Sequence, residues 1–447
     1  MSKDVRQLAL AALVQIERDI FSDVALDTCL SQASLSPRDR RFATELVYGV
    51  TRRRRTLDAL IDQLSRKRSR HPVKLQIILR LGLYQIRYLS QVPTSAAVNT
   101  SVELAKGNGF RGLAGLVNGV LRQYGRLSAA ADPLALPDDP VARLGLQHSY
   151  PDWIVALWIE AVGFEGAVQL CEWFNQPPAL DLRVNPLKTT QAEMATALDA
   201  AEVAYTLRPL PQALRLTASQ PVQSLPGYDA GWWSVQDSSA QLVGYCLGPQ
   251  PGETIVDACA APGGKATHAA ELMGDRGSIW ACDRSAQRLE RLIENQARLG
   301  LSSLQIQVGD ARQLSFEAVD RALIDAPCSG LGTLHRHADA RWRQTPETVA
   351  GLAQLQGELL HRAADWVKPG GVMVYATCTL HPLENEQVVQ QFLAAHDRWS
   401  IETPDIPNVS PDAQSRWRSP EGWLKIWPHR EQMDGFFVAR LRRSDSP

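Results

Sequence analysis

Two cysteines in this 447-residue chain stand where a nucleophile would be useful. Cys328 lies in Asp325-Ala326-Pro327-Cys328-Ser329-Gly330, and Cys378 in Ala376-Thr377-Cys378-Thr379. Each segment follows a short apolar run that reads as a buried strand, residues 321–324 before the first and 372–376 before the second. Each thiol therefore falls at the carboxyl end of a strand, the edge of an open α/β sheet at which ligands bind. The plain alternative for a cysteine is a small buried hydrophobe, and that is the reading for Cys29, Cys171, Cys246 and Cys282. Two thiols suit one particular chemistry. A thiolate adding to carbon 6 of a cytosine turns carbon 5, a poor nucleophile, into an enamine-like centre that can take a methyl group. Asp325 would hold or protonate the ring at N3, and a second group must then help remove the carbon-5 proton and release the enzyme. Lys265 would place positive charge near the crevice, or else serve as a surface helix residue.

The same edge carries four carboxylates. Asp257-Ala258-Cys259-Ala260-Ala261-Pro262-Gly263-Gly264-Lys265 follows a strand over 254–258 and opens a helix over 265–273. Its glycines and alanines let backbone approach a ligand closely. A strand over 278–282 ends at Asp283, a carboxylate placed to accept both hydroxyls of a ribose. A strand over 304–308 ends near Gly309-Asp310, placed to meet an adenine amino group, and the fourth strand ends at Asp325. Any one of these is explained by a helix cap or a turn. Four at successive strand ends favour an adenosine-bearing cofactor. The GxGxxG string at 107–112 has no strand before it, and a Walker A loop fails because Cys259 and Ala266 stand where it needs Gly and Ser/Thr. S-adenosylmethionine carries no phosphate and needs neither loop.

These residues must be positioned by a strand–helix alternation from about residue 252 onward, with a helix over 286–299 and another over 352–367. Such an alternation implies a mostly parallel sheet with helices on both faces. Residues 436–441 read as a late antiparallel edge strand. The first 140 residues differ: apolar positions recur at helical spacing over 5–16, 42–50, 57–64, 75–89 and 113–121, so an all-helical bundle is expected. Residues 129–140, with Pro133, Pro137 and Pro140, read as a linker. Residues 141–250 read as a small α+β connector, helical over 153–174 and strand-like over 181–185, 203–207 and 213–216, with Asp237 and the adjoining serines capping a helix. The three expected domains are thus 1–140, 141–250 and 251–447.

Composition bounds the class. Hydrophobic residues are 45% and charged residues 21% of the chain, the balance of a globular protein. No apolar run approaches the roughly 18–20 residues of a membrane span, and the run at 8–14 reads as one helix face. No two of the seven cysteines are spaced as CxxC, which disfavours a zinc knuckle. Their odd number in so large a chain disfavours a disulfide scaffold and suits a reducing cytoplasm. The net charge of -1 is uneven: residues 1–140 hold 21 Lys/Arg against 13 Asp/Glu, the rest 26 against 35. A basic module beside an acidic one invites a polyanion such as RNA. The stretch 38–74 holds 12 Lys/Arg and four Asp/Glu, including Arg52-Arg53-Arg54-Arg55, read as phosphate contacts or as a solvated helix end. Trp342 and His337 are candidates for stacking on RNA, or for simple packing.

Asp257 to Lys265, Asp325 to Gly330 and Thr377-Cys378 resemble the motifs of the RNA 5-methylcytosine methyltransferase superfamily. The resemblance implies a Rossmann-like class I methyltransferase domain, Cys378 as nucleophile and Cys328 as the group assisting product release. It places cofactor contacts on Cys259, Ala260, Ala261, Pro262, Gly263, Gly264, Lys265, Asp283, Asp310 and Asp325, with no metal. DNA cytosine methyltransferases use a single nucleophile in a Pro-Cys motif, so two cysteines favour RNA. Arg38-Asp39-Arg40-Arg41-Phe42 and Val117-Asn118-Gly119-Val120-Leu121-Arg122 resemble the RNA-binding NusB fold, and His335-Arg336-His337-Ala338-Asp339 fits the stretch after the Pro-Cys motif. The combination is similar to the bacterial Sun/Fmu-type methyltransferases. That likeness implies S-adenosylmethionine-dependent methylation of carbon 5 of one cytosine of 16S ribosomal RNA, cytosine 967, by a cytoplasmic monomer with no membrane or DNA partner. The competing readings are a methyltransferase of tRNA or another RNA, and a non-enzymatic RNA-binding factor. The paired cysteines and crevice carboxylates speak against the second.

Overall fold

The computed structural model describes residues 5–65, 71–217 and 221–445, and the chain forms two compact units, residues 1–176 with 334–343, and residues 177–333 with 344–447. The first unit is helical: Val5–Ile16, Ser22–Ser31, Pro37–Arg52, Arg54–Leu64, Val73–Tyr88, Thr94–Gly107, Ala114–Ser128, Pro140–His148 and Asp152–Trp173. Val73–Tyr88 is apolar on nearly every side, burying Leu75, Ile77, Ile78, Leu79, Leu81 and Leu83. A helix of that kind belongs in the middle of a bundle, and it packs against five others. The run at 8–14 is indeed one face of Val5–Ile16, with Leu8, Leu10 and Leu13 buried. Two helix starts follow local rules. Ser36 accepts from the Asp39 amide and Asp139 from the Ala142 amide, each followed by a proline at the first helical position, where its missing N–H costs nothing.

Asp152–Trp173 is, by length and composition, apolar enough to cross a membrane. Gly163 at φ 75, ψ 171 breaks it, so neither half reaches a span's length. Trp158 from the first half and Leu170 from the second are fully buried. The four consecutive arginines do not form a free phosphate-binding face. Arg52 is buried and donates to the His335 carbonyl. Arg53 lies 4.8 Å over the Tyr88 ring, Arg54 pairs with Glu17 at 3.4 Å, and Arg55 with Asp152 at 2.6 Å. Successive helical positions point in different directions, so each arginine met a different neighbour. Arg38, Arg40 and Arg41 remain exposed at the start of Pro37–Arg52. Arg66, Lys67, Arg68 and Arg70 lie outside the described residues.

Residues 334–343 complete the helical unit. Trp342, half-buried, donates its ring N–H to the Thr51 carbonyl at 2.7 Å. Arg341 is fully buried. Its guanidinium lies 4.1 Å over the Tyr150 ring and donates to Asn175 Oδ1 and to the carbonyls of Phe174 and Leu334 at 3.0–3.2 Å. Burial draws its pKa down to about 10.

The second unit holds two sheets. The smaller contains β1 (Leu180–Val184), β2 (Tyr205–Leu207), β3 (Ala213–Leu216) and β4 (Trp233–Val235), antiparallel in the order β2-β3-β1-β4. The larger contains β5 (Thr254–Asp257), β6 (Ser278–Asp283), β7 (Leu304–Val308), β8 (Val319–Asp325), β9 (Val367–Thr377), β10 (Trp399–Ile401), β11 (Leu424–Ile426) and β12 (Phe436–Arg443). Its order is β10-β12-β9-β8-β5-β6-β7, with β11 beside β12. From β7 to β9 the pairing is parallel, and β12 returns antiparallel to β9. This is the expected α/β sheet with helices on both faces. One detail differs. β12 is an inner strand, because β10 and β11 pair with it; each is three residues long, too short for side-chain alternation to reveal.

We predict that Arg341→Ala lowers the unfolding free energy by about 3 kcal/mol or more, since several buried carbonyls lose a charged donor at once. A shifted urea midpoint with an unchanged m-value is the expected observation.

Candidate active site

The strand order reverses at β5, which lies between β6 and β8. Chains leave these strands in opposite directions there, opening a crevice at their carboxyl ends. The loop after β5 lines it. Ala260 N–H donates to the Cys282 carbonyl at 2.7 Å, and Ala261 N–H reaches Asp283 Oδ2 at 3.3 Å. The Ala261–Pro262 bond is cis. Gly263 adopts φ +108, and a Cβ there would lie 2.7 Å from the Leu292 side chain, so conformation and space both require glycine. The helix Gly264–Leu272 begins at once.

A residue that sequence reasoning passed over underpins this loop. Arg183 on β1 is fully buried and pairs with the equally buried Glu271 at 2.7 Å. The same guanidinium donates to the Gly264 carbonyl and to Gln236 Oε1, each at 2.5 Å, and to Thr267 Oγ1 at 3.1 Å. The small sheet thus grips the start of the helix that follows the crevice loop. No local pattern announces this, because the partners lie more than 50 positions away in sequence.

The thiols converge. Asp325 pairs in register with Ala376, so the loops after β8 and β9 leave side by side, and Cys328 Sγ lies 3.3 Å from Cys378 Sγ. Gly332 allows the approach: its N–H donates to the Cys378 carbonyl at 2.9 Å, and a Cβ there would lie 2.1 Å from the Gly435 carbonyl. The hydrogen bond to Cys378 and burial together hold the Cys328 thiol well above its ordinary pKa. Lys265 Nζ donates to Asp325 Oδ2 at 2.6 Å and sits 5.0 Å over the Phe436 ring. Burial works against the ammonium, but the Asp325 charge and hydrogen bond outweigh it and leave its pKa raised. Lys265 is therefore a crevice residue and not a surface one.

The other carboxylates are differently occupied. Asp283 is buried and accepts from the Ser285 amide at 2.9 Å as well as from Ala261. Asp310 is held by the Arg312 guanidinium at 2.6 Å, whose hydrogen bonds lower its pKa. Asp257 is buried with Oδ2 lacking any partner. Burial first, and the Asp325 charge second, push its pKa up to about 8. Cys259, next in the chain, has its thiol raised mainly by burial. A buried, unpartnered carboxylate oxygen among further acids suits a ligand that carries positive charge and hydroxyls, as S-adenosylmethionine does.

Five parallel strands with an antiparallel return, and an acid-lined crevice where the order reverses, define a class I methyltransferase. Comparison with known proteins specifies it. Residues 244–442 match the 16S rRNA methyltransferase RsmB/F family, residues 3–126 the NusB family, and residues 150–223 the ferredoxin-like domain of RsmF/B-like methyltransferases. The chain is 51% identical to the probable ribosomal RNA small subunit methyltransferase B of Synechocystis, over 98% of this chain and 99% of that one. It belongs to the ribosomal RNA small subunit methyltransferase B family. Methyl transfer in this family depends on S-adenosylmethionine. The crystal structure of PH0851 superimposes with a TM-score of 0.81 at 25% identity, over 99% of this chain and all of that one. NSun6 from Pyrococcus horikoshii, solved with SFG, shares the fold at a TM-score of 0.60 and 22% identity, over 67% of this chain and all of that one.

Two outcomes test this description. Arg183→Met leaves Glu271 charged and buried without its partner, and should cost about 3–5 kcal/mol of stability; adding Glu271→Leu should restore much of it in the same denaturation assay. Asp257 releases its proton near pH 8 when folded and near pH ~4 when unfolded. Its contribution therefore falls as pH rises between those values and is constant above them. The stability of wild type relative to Asp257→Asn should decline across that window when no cofactor is bound.

Proposed function

We propose that the chain methylates carbon 5 of one cytosine in 16S ribosomal RNA, cytosine 967 by family resemblance, through a covalent bond between Cys378 and carbon 6 of the base. The observation that carries this reading is the 3.3 Å contact of Cys328 Sγ and Cys378 Sγ, beside the Asp325–Lys265 pair. A single buried thiol has many explanations; two that meet at the ends of adjacent strands beside a cofactor crevice suit addition followed by elimination.

The cytosine must first leave its stack to enter the crevice. The Cys378 thiolate adds to carbon 6, and Asp325, having taken the Cys378 proton, donates it to N3 so that the ring can take up the electrons. Lys265, held on Asp325, keeps positive charge beside the base as negative charge develops. S-adenosylmethionine, when bound, supplies the methyl group taken by carbon 5. Cys328, ionised by loss of its own proton to solvent, then accepts the carbon-5 proton as a thiolate, the carbon-6–sulfur bond breaks with its electrons returning to Cys378, and the ring regains its double bond. Cofactor contacts fall on residues 259–265 and on Asp283, Asp310 and Asp325. Residues 1–140 hold the RNA, 141–250 connect, and 251–447 perform the chemistry, in a monomer.

The test is a denaturing gel after incubation with deproteinised small-subunit rRNA and S-adenosylmethionine. Cys328→Ala should form a slow-migrating protein–RNA adduct, and Cys378→Ala none. Methyl incorporation should fall to background in Cys378→Ala. Wild-type activity in both variants, with no adduct, would overturn the mechanism. An adduct formed only with tRNA would overturn the substrate.

A further inference from the structure

Behind the two thiols lies a polar cluster that the proposed reaction does not use. Glu384 sits at the end of the single turn Pro382–Glu384 and is wholly inaccessible to solvent. Its Oε1 accepts from the Ser329 amide at 2.8 Å and from Gln356 Nε2 at 3.0 Å, and its Oε2 accepts from the Ser329 hydroxyl. Ser329 Oγ in turn lies 2.8 Å from Thr379 Oγ1. Since the Ser329 hydroxyl donates to the carboxylate, the Thr379 hydroxyl donates to Ser329. Ser329 follows Cys328 and Thr379 follows Cys378, so the neighbours of both thiols hang from one carboxylate.

The surroundings extend the same grip. Gln356 also donates to the Pro327 carbonyl at 2.9 Å, fixing the residue before Cys328. Asn385 accepts from the Thr377 hydroxyl at 2.6 Å and donates to the Thr379 carbonyl at 3.0 Å, bracketing Cys378. Tyr375 donates its hydroxyl to the Glu384 carbonyl at 2.5 Å. The carboxylate is met by an amide, a hydroxyl and a carboxamide. A buried anion without a cation is costly unless its lone pairs are satisfied, and burial pushes the Glu384 carboxyl pKa up despite these donors. Packing alone would be better served by an apolar side chain.

We infer that Glu384 is a positioning residue that holds Cys328 and Cys378 in one reaction centre by tying Ser329 and Thr379 together; this rests on the two-thiol reaction proposed above. Glu384 does not touch the substrate. It fixes the distance and relative orientation of the two sulfurs, and its charge opposes formation of a second anion at Cys328.

Glu384→Gln and Glu384→Ala test this in the full chain. The first keeps the shape and an acceptor for the Ser329 amide but loses the charge; the second loses both. Two readouts are independent of RNA. One is the pH dependence of iodoacetamide alkylation at Cys328 and Cys378, read by mass spectrometry. The other is the rate at which oxidised dithiothreitol converts the thiol pair to a disulfide, becoming the reduced dithiol. We expect Cys328 alkylation in Glu384→Gln to move to lower pH, and disulfide formation in Glu384→Ala to slow at least about tenfold. We expect kcat on small-subunit rRNA to fall by up to about 100-fold in Glu384→Ala, the scale of an ångström-sized misplacement, with KM and cofactor affinity held within about twofold. If Glu384→Ala does not fold, Glu384→Gln carries both thiol readouts. Lowered kcat with wild-type thiol behaviour in the folded variants would overturn the inference and leave the proposed reaction standing. Altered thiol behaviour with wild-type kcat would overturn the two-thiol reaction, and with it any role of Glu384 in catalysis.

Discussion

Parallel pairing of β8 with β9, with Asp325 opposite Ala376, sets the geometry on which the candidate site depends. Side chains alternate along a strand, so a slip of one residue would turn either loop's first residue to the other face of the sheet. In the register adopted, Ala326 donates to the Ala376 carbonyl at 3.0 Å and Gly332 to the Cys378 carbonyl at 2.9 Å. The ladder is thus carried past the strand ends into the loops that hold the thiols. The strands are apolar and buried on both faces, which is what fixes such a register in a sheet covered by helices.

What the sequence made legible was whatever one strand and its own loop specify. The crevice loop, the acids at the strand ends and the two thiols could be read because each follows an apolar run by a fixed few residues. The central strands were equally plain. Interactions that join distant segments were not. Arg183 carries nothing in its own neighbourhood to mark Glu271 as its partner, and Glu384 lies in a polar stretch whose partners are 55 positions away at Ser329. Arg52 to Arg55 show the converse. Four like charges in a row invite a reading about an external partner, yet the helix distributes them among an aromatic ring, two carboxylates and a carbonyl. Asp310 is a milder case, since Arg312 two residues on already holds it.

The catalytic unit also concentrates buried charge where an apolar core would be more stable. Arg183 and Glu271 are both at zero side-chain exposure, Asp257 keeps an oxygen without a partner, and Glu384 has no cation among its hydrogen-bond donors. Such groups cost stability relative to apolar isosteres, and these four residues stand around one crevice. Directional bonds give in return what dispersion does not: a loop held at defined angles, and sulfur atoms kept in mutual contact.

The ten residues from Leu334 to Arg343 complete the helical unit although they are encoded within the second one. A gene segment ending at residue 176 would omit Arg341, and a segment starting at residue 177 would carry that arginine without the Phe174 carbonyl and the Tyr150 ring that receive it. A break between residues 176 and 177 therefore parts Arg341 from the groups that receive it. Recombination that exchanges the front of such a gene for another must also match a short stretch just beyond the Pro-Cys loop, so the two units are expected to be inherited together.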